Sequence, residues 1–247
     1  MTRLRRIGLF GGTFDPFHLG HLAVARAARD VLALDEVRLV PAHVPPHRPT
    51  RPHASPYHRF AMAALGVAED ESLCVSDAEL GQAGPSYTAH TLGRLHGEGW
   101  RPTQIFFITG ADAFAEIATW FDYPRLLDAA HFAVLSRPGR SAGSLREALP
   151  GLARRMRDVR EPLFREGIEA VEEAEPLILL IDRPTPDVSG SQVRERCSSR
   201  RSVTDLVPPL VARHIMKHCL YVDASTPESH AAGSPKAASE LHEQEHA

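Results

Sequence analysis

Six short apolar segments recur along the chain with helix-like patterns between them, and this alternation limits the fold more than any other feature of the sequence. The segments are Ile7–Phe10, Val37–Pro41, Leu73–Ser76, Ile105–Ile108, Phe132–Leu135 and Leu177–Ile181. Each is strand-length and continuously apolar, as befits a strand covered on both faces. The intervening patterns lie near Leu22–Leu32, Tyr57–Ala68, Thr88–His96, Ala113–Ala118, Leu145–Arg157 and Leu210–Lys217. The order predicts an α/β fold: a Rossmann-like, doubly wound parallel sheet with helices on both faces. In such sheets ligands sit beyond the strand C-termini, where the strand order reverses. The first and fourth segments run into Gly11-Gly12 and Gly110-Ala111-Asp112, so these two strands are expected to be neighbours at the reversal.

The first of those turns carries the densest chemistry. Gly11-Gly12-Thr13-Phe14-Asp15-Pro16-Phe17-His18-Leu19-Gly20-His21 leaves a strand and opens a helix predicted to start near Leu19 or Gly20 and to run to about Leu32. Glycines let the main chain approach a ligand closely, and the helix N-terminus favours an anion. His18 and His21, three apart, share a helix face. Together these features read as a nucleotide triphosphate site. Other readings compete: zinc ligation, for which the H-E-x-x-H spacing is missing, and a plain helix cap, which leaves the second histidine unexplained. Neither a Walker loop nor a G-x-G-x-x-G fingerprint occurs.

The chain has 247 residues, 43% hydrophobic and 24% charged, with 28 basic against 31 acidic side chains and a formal charge of −3. This balance opposes a surface that coats nucleic acid or is drawn to a membrane, so anion binding must be local. Three widely spaced cysteines, Cys74, Cys197 and Cys219, suit a reducing compartment, and neither a signal peptide nor a membrane-length apolar run is read. A cytoplasmic location is expected. Residues 1–223 are expected to form one domain and 224–247 a disordered tail, because the tail lacks an apolar stripe. Residues 137–175 read as a surface excursion, with a role in contacts between copies of the chain left open.

The run from Gly11 to His21 resembles the H-x-G-H signature of the nucleotidyltransferase α/β superfamily. Its fuller form, G-G-T-F-D-P-x-H-x-G-H-L, is similar to that of bacterial nicotinate-nucleotide adenylyltransferases. Further segments match in order. Pro41-Ala42-His43-Val44-Pro45-Pro46-His47-Arg48 resembles P-x-x-x-P-P-H-[KR], which implies His47 and Arg48 near a triphosphate. Pro85-Ser86-Tyr87-Thr88-Ala89-His90-Thr91-Leu92 resembles S-Y-T-x-x-T-L, with Ser86 or Thr88 able to cap the helix; the match implies that main-chain groups at Tyr87 and Thr88 receive a pyridine carboxylate. Asp112 reads as a capping acid and, by resemblance, as a ribose contact. The same likeness implies a pyridine ring stacked on Trp120 and leaves Phe121 to the core. Asp187-Val188-Ser189-Gly190-Ser191-Gln192-Val193-Arg194 resembles I-S-S-T-x-I-R, with Gly190 in place of the second serine.

What the resemblance implies is adenylyl transfer from ATP to nicotinate mononucleotide, giving deamido-NAD and pyrophosphate with no covalent intermediate, in NAD biosynthesis. His18 and His21 are the expected catalytic residues. ATP is assigned to Gly11, Gly12, Thr13, Phe14, His18, His21, His47, Arg48, Gly110, Asp112, Ser189, Ser191 and Arg194, and nicotinate to Tyr87, Thr88 and Trp120. Magnesium is expected to accompany ATP, with no dedicated protein metal site. The partners expected are these small molecules, with neither nucleic acid nor membrane. The rival activities are transfer to another phosphorylated acceptor within the superfamily and an inactive nucleotide-binding regulator.

Overall fold

The computed structural model describes residues 4–46, 50–82, 84–136, 139, 141–159 and 175–222. Seven strands form one parallel sheet: β1 (Ile7–Gly12), β2 (Glu36–Pro41), β3 (Leu73–Val75), β4 (Ile105–Gly110), β5 (His131–Leu135), β6 (Met156–Asp158) and β7 (Ile178–Ile181). Their order is β3-β2-β1-β4-β5-β7-β6. β1 lies between β2 and β4, with Phe10 paired to both Leu39 and Ile108. The reversal therefore falls between β1 and β4, where the glycine turns are.

The helices are α1 (Leu19–Leu32), α2 (Pro56–Val67), α3 (Thr88–Gly97), α4 (Ala111–Ala115), α5 (Leu145–Ala148), α6 (Gly190–Ser198) and α7 (Pro209–Lys217). Their apolar stripes cover both faces of the sheet. One core layer gathers Ala25, Ala28 and Val31 of α1, Met62 and Ala63 of α2, Val193 of α6 and Val211 and Ile215 of α7. The opposite layer gathers Leu92 and Leu95 of α3 with Phe114, Leu126, Phe132 and Leu145. Within α2, Gly66 makes room for Phe17: a Cβ there would lie 2.3 Å from the Phe17 ring, so the helix seats directly on the loop before α1. No helix among the described residues is long and apolar enough to cross a membrane.

Two sequence expectations are corrected. The helix expected over Leu145–Arg157 stops at Ala148, continues as a 3₁₀ stretch over Pro150–Arg155, and gives way to β6, a seventh strand. Pro150 explains the stop, because proline cannot supply the amide that a continuing helix needs. Ala142, Leu145, Met156 and Val159 are buried, so the first part of the 137–175 stretch is built into the sheet's edge rather than lying on the surface. The helix expected over Ala113–Ala118 is α4 followed by a 3₁₀ turn, Ile117–Thr119. Residues 160–174 and 224–247 lie outside the described residues.

His131 opens β5 fully buried, with its ring stacked on Phe106 at 4.8 Å. Its Nδ1 accepts the Leu177 amide at 2.9 Å, which ties β5 to the chain entering β7. Burial, with Arg6 and Arg155 adding repulsion, pushes its pKa down to about 4. The fold thus favours the neutral ring, so the stability concerned is complete above the ordinary value of about 6.5 and is lost as pH falls toward 4. We expect His131→Asn, which keeps an acceptor for Leu177, to flatten the pH dependence of unfolding free energy in that window. An unfolding free-energy difference between pH 7 and pH 4.5, from denaturant titrations, that is as large in His131→Asn as in the parent would contradict this.

Candidate active site

The turn after β1 is tied into place by its own polar groups. Phe14 takes the left-handed backbone region, with φ +51°, and its ring is buried against Phe10, Phe17 and His21. The ring is thus spent on packing, and only the main chain of this residue is left for other contacts. His18 is the N-cap of α1 and is buried; its ring stacks on that of His21 at 3.7 Å. The His18 amide donates to His21 Nδ1 at 3.3 Å. With Nδ1 an acceptor, the neutral His21 ring carries its proton on Nε2, which leaves that atom as the ring's donor.

α6 meets this turn from the far end of the chain. Arg194 Nη1 donates to the main-chain oxygen of Asp15 at 2.6 Å, and Arg194 Nη2 to Ser191 Oγ at 3.1 Å. Gly190 permits this approach: a Cβ there would stand 3.0 Å from the Asp15 carbonyl and 3.2 Å from the guanidinium. The serine of the resembled motif is thus replaced by a residue that brings α6 against the turn. Ser189 spends its hydroxyl on the Gln192 amide as an N-cap, while Ser191 is exposed. His18, His21, Asp15 and Arg194 therefore belong to one place.

Beside it lies a cavity of about 270 Å³ lined by Gly11, Gly12 and Thr13, by Tyr87 and Thr88, and by Phe107, Trp120 and Phe121. It opens at the C-terminal ends of β1 and β4, as the order of the sheet requires. Trp120 is half-buried and meets Phe107 edge to face at 5.8 Å. Contrary to the sequence expectation, Ser86 does not cap α3. Its hydroxyl accepts the His43 amide at 2.9 Å, pinning the loop after β2, and no side chain among the described residues caps this helix. The α3 N-terminus thus meets the cavity with its amides and its dipole. Gly110 is the N-cap of α4, Asp112 is exposed in that helix's first turn, and the next residue, Ala113, lines the cavity. His47 and Arg48 lie outside the described residues.

Four features escaped the sequence reading. Phe121 is 48% exposed and stacks on Tyr87 at 4.7 Å, forming a wall of the cavity rather than core. The short 3₁₀ turn before it spends Ile117 on the core and ends at Trp120, which leaves Phe121 outside. Glu79 is buried at the cavity, its Oε1 accepting Thr91 Oγ1 at 2.5 Å. Arg59, fully buried in α2, donates to the carbonyls of Thr13, Ala42, His43 and Ala54. Asp15, read only as part of a turn, has a fully buried carboxylate that joins two other segments of the chain. An arginine among the apolar positions of α2 was the one available signal for Arg59; the others have none in local sequence.

Known proteins resemble this chain in sequence and in fold. A family model described as cytidylyltransferase-like matches residues 9–196. Curated relatives that carry the name nicotinate-nucleotide adenylyltransferase include one from Desulfatibacillum aliphaticivorans, 37% identical over 88% of this chain and 100% of the relative. Another, from Pseudomonas fluorescens, is 39% identical over 88% of this chain and 97% of the relative. Among solved structures, nicotinic acid mononucleotide adenylyltransferase of Plasmodium falciparum complexed with NaAD shares the fold, with a TM-score of 0.61 at 16% identity over 88% of this chain and 98% of that one. With its H-x-G-H turn, its order-reversing sheet and relatives matched over nearly their whole length, the chain belongs to the nicotinate-nucleotide adenylyltransferase family of cytidylyltransferase-like proteins.

Proposed function

We propose that the protein transfers the adenylyl group of ATP to nicotinate mononucleotide. The observation that carries this reading is the juxtaposition of an anion-binding turn holding two stacked imidazoles with an aromatic cavity into which an uncapped helix N-terminus opens. ATP takes the turn: the amides around Gly11 to Phe14 and the His18 and His21 rings face its phosphates, and Arg194 with Ser191 holds the outer ones. The resemblance gives His47 and Arg48 to the same phosphates and Asp112 to a ribose. Nicotinate mononucleotide takes the cavity, its ring on Trp120 and its carboxylate at the amides of Tyr87 and Thr88.

In the reaction, a phosphate oxygen of the mononucleotide attacks the α-phosphorus of ATP. A new P–O bond forms in line with the bond to the β-phosphate, which breaks, and its electron pair leaves with pyrophosphate. The protein's part is alignment and charge stabilisation, with no covalent intermediate. No group of three or more acidic, histidine or cysteine side chains among the described residues could cage a metal ion. Magnesium is expected to arrive with the nucleotide, since this ion binds chiefly through phosphates and water. It would supply charge neutralisation at the departing pyrophosphate.

The acid, rather than the amide, is the expected acceptor, because a helix N-terminus stabilises a carboxylate and gains little from a neutral carboxamide. Steady-state assays with nicotinate and nicotinamide mononucleotides are expected to favour the acid in kcat/KM by at least about tenfold, the equivalent of about 1.4 kcal/mol. Equal efficiencies would overturn the assignment of the α3 N-terminus.

A further inference from the structure

The Asp15 carboxylate is fully buried and ties two other segments of the chain to its own turn. It accepts the His53 amide at 2.8 Å and the Ala54 amide at 3.0 Å, both from the loop before α2, and the Tyr221 hydroxyl at 2.8 Å, from the segment after α7. The main-chain oxygen of the same residue is the anchor for Arg194. Asp15 is therefore held on one side by Tyr221 and on the other holds the guanidinium assigned to the nucleotide.

Tyr221 is placed for this contact by its own segment. α7 ends in a tight turn in which the Leu220 amide returns to the Ile215 carbonyl, and Cys219 and Tyr221 both adopt positive φ, +47° and +64°. Side chains rarely accept that conformation, and here it brings the Tyr221 ring back over the turn that leads into α1. Burial and the neighbouring carboxylate push the phenol's pKa upward, so it stays a proton donor. The hydrogen bonds to Asp15 and the charge of Arg194 outweigh burial and keep its carboxyl below the usual range, so it stays an acceptor.

We infer that Tyr221 is a positioning residue for the adenylyl transfer: its hydroxyl, acting through Asp15, fixes the carbonyl on which the Arg194 guanidinium is aimed at the phosphates of ATP. The inference rests on the reading of the turn as the ATP site. It assigns to the segment after α7, far from the cavity in sequence, a part in nucleotide affinity that is separate from acceptor binding.

The test uses the full chain and the Tyr221→Phe variant, which keeps the ring and removes the hydroxyl. ATP affinity is measured by calorimetry in the presence of magnesium, alongside KM for ATP and for nicotinate mononucleotide and a thermal melt. Loss of a hydrogen bond to a charged group predicts a dissociation constant and KM for ATP raised by about tenfold, with KM for the mononucleotide within about twofold of the parent. Tyr221→Phe in an Arg194→Ala background is expected to add no further loss of ATP affinity. A purely structural role would lower melting temperature and active fraction while leaving both KM values in place. That result, parental ATP affinity in Tyr221→Phe, or a full additional loss in the Arg194→Ala background would each overturn the inference. Should Tyr221→Phe fail to fold, Asp15→Asn takes its place: it keeps an acceptor for Tyr221 but weakens the network, and the same ATP-specific loss is expected. Absence of turnover by the parent chain would count against the proposed reaction, whereas the calorimetric arm would still decide the part played by Tyr221.

Discussion

Replacing His21 with alanine is expected to lower turnover by about 100-fold or more, and His18→Ala to do the same, with each variant still folded. The two rings are stacked at 3.7 Å at the N-terminus of α1, where the helix dipole and the main-chain amides already favour negative charge. The His18 amide on His21 Nδ1 fixes which nitrogen of the His21 ring donates. A donor held in this way gains most when charge builds on the transferring phosphoryl group, so its removal falls on kcat rather than on substrate affinity. The appropriate measurement is pyrophosphate release at saturating ATP and mononucleotide. Turnover within about fivefold of the parent in both variants would remove the histidines from the mechanism.

The second large effect concerns stability. Arg59→Met is expected to destabilise the fold by about 3 kcal/mol, since burying a carbonyl without a donor costs about 1–3 kcal/mol and the losses do not add fully. The guanidinium, fully buried, meets the Thr13 and Ala42 carbonyls at 2.7 Å each, His43 at 3.1 Å and Ala54 at 3.3 Å. It thereby joins the turn after β1, the loop after β2 and the entry to α2. Methionine fills the space of the side-chain stem but donates nothing, and it relieves the arginine of its own desolvation, which keeps the expected cost below the sum of four lost hydrogen bonds. Denaturant unfolding with an unchanged slope and a lowered midpoint is the expected signature. A loss under about 1 kcal/mol would mean that water or rearranged main chain satisfies those carbonyls.

These two predictions mark the boundary of what the chain discloses before folding. The strands β1, β2, β4, β5 and β7 are legible because each is an apolar run of strand length, and the glycine turns after β1 and β4 identify the reversal of strand order. α1 is legible to within a residue, since its apolar stripe and the glycine turn before it agree. β6 is not. It has three residues, of which Arg157 and Asp158 are exposed at the sheet's edge, so it carries no apolar run to read. The cavity's glycines, Tyr87, Thr88 and Trp120 are legible through motif likeness. Phe121 is not, because a large aromatic after a tryptophan looks like core until the 3₁₀ turn turns it outward.

Polar networks are the least legible part. Asp15, Arg59 and Tyr221 are buried or half-buried groups with distant partners: the Asp15 carboxylate meets Ala54, 39 positions away, and Tyr221, 206 positions away, and the Arg59 guanidinium meets Thr13, 46 positions away. Periodicity reports which face of an element is apolar; it carries no information about which distant carbonyl or carboxylate a buried polar group will meet. Ser86 makes the same point from the other side. Its position at a helix start predicts a cap, yet tertiary structure gives its hydroxyl to the His43 amide and leaves α3 uncapped at the cavity.

The most direct test of the whole account follows the α-phosphorus. With ATP labelled at that atom, magnesium and nicotinate mononucleotide, the label is expected in deamido-NAD, in step with release of unlabelled pyrophosphate, and to need His18, His21 and Arg194. Label that remains in ATP, or that appears in AMP without a dinucleotide, would contradict the claim that the turn after β1 and the aromatic cavity are two halves of one adenylyl-transfer site.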